Sequence, residues 1–168
     1  MQPYLTACLD LLDESLIGPA DPQHTWVVSN EPASGLVGTL DTLSAEQASR
    51  APTPSGRTAA AHAQHELFAL DLARRRLEGE DPAAATAADW DASWGTGTVT
   101  EPMWANLRAE LRRAGAELHQ TIEAKASWSD MDIKGLAATL GHLTYHLGAV
   151  RQIARTINAG VPDAPRCG

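Results

Sequence analysis

"GHLTYHLGAVRQIA" spans residues 141–154. Its apolar residues keep a helical beat: Leu143, Leu147, Val150 and Ala154 recur at three- and four-residue steps, and Leu136 and Leu140 carry the stripe back towards the N-terminus. At about 100° per residue, His142 and His146 fall on the shoulder of this sector. Gly135, Thr139, Ala149 and Ile153 share that shoulder and carry no charge, while Arg151, Gln152 and Arg155 lie towards the other side. The stretch therefore reads as one helix of a bundle, with two imidazoles turned inward.

Three more helical patterns precede it. The last helix covers about 132–158, with Gly160 and Pro162 after it. The third starts near Thr100, with Pro102 in its first turn, and runs to about Ala124 on a face of Trp104, Leu107, Leu111, Ala114, Leu118 and Ile122. The second runs from about 57 to 78 and stops at Gly79. The first covers about 3–17, with Leu5, Leu9, Leu12 and Leu16 in step, and ends at Gly18-Pro19. Strand signals are almost absent. The expected fold is all-α: a four-helix bundle with long 1–2 and 2–3 connections, forming a single domain over 1–168.

The connection 18–56 holds five of the ten prolines. Within it, "TWVV" (25–28) reads as briefly extended, and "GLVGTLDTL" (35–43) as a short helix. Ser44 and Gln47 have capping-box spacing, with Leu43 placed as a staple. The connection 79–99, about 20 residues, is long enough to let helices 2 and 3 run parallel. The short link near "ASWSD" implies an antiparallel pair for helices 3 and 4. Residues 159–168 read as a C-terminal tail.

Composition excludes several classes of function. A net charge of −8 and a pI near 5.1 disfavour nucleic acid, and "RRR" (74–76) reads as a solvated helix edge. Cys8 and Cys167 form no CxxC or disulfide framework. The N-terminus lacks a basic region ahead of an apolar one, and no run reaches the roughly 18 apolar residues of a membrane span. The expectation is a soluble cytoplasmic protein that engages neither nucleic acid nor membrane.

Six histidines remain to be weighed. His24 sits in the proline-rich connection and His119 lies off its helix's apolar stripe, so neither is a site candidate. His142 and His146, at i and i+4, have Cβ atoms about 5–6 Å apart and can converge on one ion at about 2.0–2.1 Å. The competing reading is two core-edge histidines with ordinary partners, such as the Thr139 hydroxyl. On the second helix, His65 falls in the middle of the face made by Ala61, Phe68, Ala69 and Leu72. His62 is rotated about 60° towards Glu66 and is the fallback ligand, and Glu66 reads as pointing off the face. Three imidazoles from two helices would make a His₃ set with positions open to water or substrate. Leu143 occupies the place a zinc protease gives to its glutamate in HExxH, so peptidase chemistry is not supported. Neither GxSxG, a P-loop nor GxGxxG occurs.

Three stretches resemble the DinB/YfiT-like superfamily of helical metalloproteins: "GRTAAAHAQHELFALDLARRRLEGE" (56–80), "DWDASWGTGTVTEPMWANLRAEL" (89–111) and "LGHLTYHLGAVRQIARTI" (140–157). The likeness covers most of 35–158. Position by position, it implies His65, His142 and His146 as ligands. It also implies an up-down-down-up bundle, a divalent ion such as Zn or Ni, a homodimer, and chemistry of the thiol S-transferase or hydrolase kind with a low-molecular-weight thiol as cosubstrate. A non-catalytic small-molecule-binding protein, and a structural bundle without metal, stand as alternatives. Arg151, Tyr145, Trp90 and Trp94 are the weaker candidates for contacting a small-molecule substrate, and no catalytic acid or base stands out.

Overall fold

The structure, a computed structural model, describes residues 3–81, 85–95 and 97–159. Seven helices occur among them and no strand: α1 (Pro3–Leu16), α2 (Leu36–Asp41), α3 (Ala45–Ala48), α4 (Ala59–Leu77), α5 (Ala87–Ala92), α6 (Glu101–Ala124) and α7 (Asp130–Ala159). The four long ones are those the apolar periodicity marks. The tail, with Cys167, Gly160 and Pro162, lies outside the described residues except for Ala159. No described helix is long and apolar enough to cross a membrane.

Helix starts follow local chemistry. Thr58 accepts from the Ala61 amide ahead of α4, and Thr100 from the Met103 amide ahead of α6, with Pro102 in the first turn. Ser44 and Gln47 form the expected capping box in front of α3. A second capping box, Thr86 with Asp89, opens α5 inside the 79–99 connection. That helix is a finding of the structure, because its apolar content is too small to show a period.

α1 and α4 each pack against both α6 and α7, and α2 packs against α6 and α7. The short link from α6 to α7 therefore joins helices that each pack mainly against α1 and α4 instead of against each other. Local contacts set directions. Asp13 of α1 meets His119 of α6, and Gly115 of α6 lies where an added Cβ would stand 2.1 Å from Leu16 Cδ2, so these helices run antiparallel. Arg74 pairs with Glu117 and Glu78 accepts from Thr121, so α4 and α6 run parallel. Leu12, Leu40, Leu111, Leu118, Leu143 and Leu147 are almost fully buried between the helices. Leu70 is fully buried and Leu67 packs on the same core.

The proline-rich connection is held from α1. Buried Glu14 accepts the amides of Trp26, Val27 and Val28 on Oε1 at 2.8, 2.6 and 3.0 Å. Burial pushes its carboxyl up, but the three N–H groups outweigh that and hold it below its ordinary value. The "TWVV" segment is accordingly bent, not extended: its donors end on one carboxylate instead of on a neighbouring strand. Gly18 makes the turn out of α1 with φ +140°, and a Cβ there would lie 2.1 Å from the Pro32 carbonyl oxygen. Arg151 of α7 donates to the Ser34 carbonyl and so braces the end of this segment.

Candidate metal centre

α4 and α7 bring three imidazoles to one point. His65 Nε2 stands 3.2 Å from His142 Nε2, which stands 3.2 Å from His146 Nε2. His65 and His146 are buried, at 5% and 1% exposure, and His142 is partly so. The three have the spacing that could hold a metal ion. Nitrogens about 2.0–2.1 Å from an ion stand about 2.8–3.0 Å apart at adjacent octahedral positions and about 3.3–3.4 Å apart at tetrahedral ones. The observed 3.2 Å falls between.

The outer ring nitrogens make the stronger test. His65 Nδ1 meets Ser93 Oγ at 2.6 Å, and that hydroxyl donates its own hydrogen to the Trp90 carbonyl at 2.6 Å. Ser93 must therefore accept from His65 Nδ1–H, which leaves the His65 Nε2 lone pair pointing inward. His142 Nδ1 meets Glu66 Oε2 at 3.0 Å, and His146 Nδ1 meets His62 Nδ1 at 2.8 Å. Every inward nitrogen thus has an outer partner able to take its ring's proton, the arrangement that orients metal-binding histidines. Converging lone pairs repel unless a cation sits among them. The residues present fit a divalent ion.

Glu66 corrects the sequence expectation. It does not point off the face but is fully buried beside His142, because the helix buries both flanks of its His65 face between α6 and α7. Burial raises its carboxyl pKa, and the His142 ring pulls it partly back; Oε1 has no hydrogen-bond partner. His62, the fallback ligand, lies behind His146 and bonds its outer nitrogen.

Trp90 and Trp94 reach the site through α5 and the turn after it. The Trp94 ring stacks on His65 at 3.9 Å and 9°, and Trp90 meets His65 at 5.5 Å and His142 at 6.1 Å. Gly95 takes φ +55° against Gln64, where a Cβ would stand 1.9 Å from Oε1, and Thr58 donates to the Gly97 carbonyl at 2.8 Å. The connection is thereby fastened to α4. Tyr145, 67% exposed, sets its ring edge-on to His146 at 5.0 Å. Arg151 binds Ser34, His119 pairs with Asp13, and His24 with Asp21, so none of these is placed with the triad.

Burial first, and then neighbouring positive charge, lowers His62 and His65 to about 4 and His146 to about 3. The rings are neutral and ready to ligate at neutral pH. For the metal-free protein the sign follows directly. Below about pH 6.5 the unfolded chain takes up protons that these three folded rings refuse, so their contribution to stability is full above pH 6.5 and is lost as pH drops towards 4. Urea unfolding across that range checks this. A His62→Gln variant, which removes one such group, is expected to show a shallower fall; equal slopes would contradict it.

A family model described as the DinB superfamily matches residues 33–150. No curated protein and no solved structure matches the chain. The matched span contains all three triad histidines, their outer partners and both tryptophans, and on that match the chain belongs to the DinB superfamily.

Proposed function

We propose that the protein is a divalent-metal-dependent enzyme that activates a low-molecular-weight thiol, or water, for transfer to a small-molecule substrate. The observation that carries this reading is the set of three inward Nε2 atoms, each backed at Nδ1 by Ser93, Glu66 or His62. A divalent ion such as Zn or Ni held by His65, His142 and His146 would lower the pKa of a coordinated thiol or water, creating a nucleophile near neutral pH. Two ring-facing sides are closed by Trp90 and Trp94, which limit access of bulk water. Glu66 keeps the His142 ring in the tautomer that ligates. Tyr145 and the two tryptophans are the side chains nearest to where a substrate would sit.

The wider reading goes with it. The four long helices run up-down-down-up, supported by the antiparallel α1/α6, parallel α4/α6 and antiparallel α4/α7 contacts. The protein acts in the cytoplasm as a homodimer. The dimer rests on family likeness alone.

The test uses protein purified without a histidine tag. Conjugation of a model electrophile with cysteine or glutathione is expected, lost on chelation and restored by Zn or Ni. No turnover with any thiol, and none in ester or amide hydrolysis by metal-loaded protein, would replace this reading with that of a non-catalytic binding protein.

A further inference from the structure

An apolar cavity of ≈ 320 Å³ runs between α4 and α7 and ends at the triad. Ala69, Leu72 and Ala73 line it from α4, and Gly135, Leu136 and Ala138 from α7. His142 and Trp90 line it at the triad end, and Met131, 66% exposed, lines it at the other. Met131 and His142 are eleven residue steps apart on α7, so the cavity extends roughly 16 Å along it. Close-packed interiors leave few voids larger than a water molecule, and this volume lies at the lower end of small-molecule sites, roughly 300–1,000 Å³.

The charged groups on its wall have interactions of their own. Asp132 accepts from the Ser129 amide and hydroxyl at 2.9 Å each, and Arg76 is engaged in an interaction of its own. Gly135, Ala138, Ala69 and Ala73 supply short side chains, or none, where a helix groove is ordinarily filled.

We propose that the substrate carries an elongated apolar group that lies in this cleft while its reacting end faces the triad, and that Gly135 sets the cleft's width. This rests on the metal-enzyme reading above for what happens at the reacting end; occupancy of the cleft does not. A Cβ at Gly135 would meet nothing within 4 Å, so a leucine there enters free space and improves helix propensity.

The experiment measures displacement of N-phenyl-1-naphthylamine by 1-butanol, 1-hexanol and 1-octanol, on metal-loaded and chelated protein, with metal content determined separately. Inhibition constants are expected to fall about three- to fourfold per added methylene. Gly135→Leu, and independently Ala138→Leu, are expected to weaken 1-octanol at least tenfold while helicity and metal content stay unchanged. Affinity independent of chain length, or unaltered in both variants, would overturn the cleft and leave the metal reading standing. Intact alkanol binding in a chain that takes up no divalent ion would overturn the metal reading and leave the cleft standing.

Discussion

His142→Ala is expected to abolish stoichiometric binding of a divalent ion, measured by mass spectrometry on untagged protein. His142 is the central member of the triad: its Nε2 is 3.2 Å from both other inward nitrogens. Its removal takes away one ligand and leaves His65 and His146 at the two far corners. The same change deprives Glu66 Oε2 of its partner, leaving a fully buried carboxyl whose other oxygen is already unpaired. The outer partners give a graded control. Glu66→Gln, Ser93→Ala and His62→Gln keep all three ligands and are expected to weaken the ion by about 10–100-fold each. His142→Ala should exceed that range. Equal metal content in wild type and His142→Ala would sink the metal centre and return the cluster to hydrogen-bonded core histidines.

Trp104→Ala is expected to be the most destabilising single substitution at a distance from the triad. Trp104 opens α6, is 0% exposed, and donates Nε1 to the Leu43 carbonyl at 2.8 Å. Arg108 lies over its ring at 5.3 Å. The ring thus plugs the space between α6 and the α2–α3 segment, which Glu101 also braces by accepting from the Ala45 amide. Truncating a buried tryptophan costs about 3–5 kcal/mol, and the chain's size converts each kcal/mol into about 2–4 °C. A fall in Tm on the order of 10 °C should follow. Trp104→Phe retains most of the apolar bulk but orphans the carbonyl, an effect of about 1–3 kcal/mol. Trp26, 83% exposed, gives the comparison: its alanine variant should change stability by no more than about 0.5 kcal/mol. If Trp104→Ala and Trp26→Ala melted together, the plug would not exist.

The long helices were legible because each buries a stripe wide enough to impose a period of 3.6 on a dozen or more residues. Leu136, Leu143, Leu147 and Val150 are buried as that period requires. His65, His142 and His146 were legible as convergent for the same reason: helical angle fixes which way a side chain leaves the axis. What stayed hidden depends on contacts between distant segments. Nothing local about Glu66 says that α6 and α7 cover both flanks of its helix. Ser93 becomes the outer partner of His65 only when α5 forms, and the only local sign of α5 is the Thr86–Asp89 spacing. Glu14 gathers three amides 12 to 14 residues away, which no periodicity encodes.

The placement of α5 has a consequence for how the chain tolerates change. A connection between two helices ordinarily accepts insertions and deletions, because little depends on its path. Here residues 86–97 carry an acceptor for one imidazole, a ring stacked on the same imidazole, and two fastenings to α4. Shortening that link by one residue would rotate Ser93 and Trp94 away from His65 together. The link is thus a mechanical support of the candidate triad, and its length bears on the setting of His65 as directly as its sequence does.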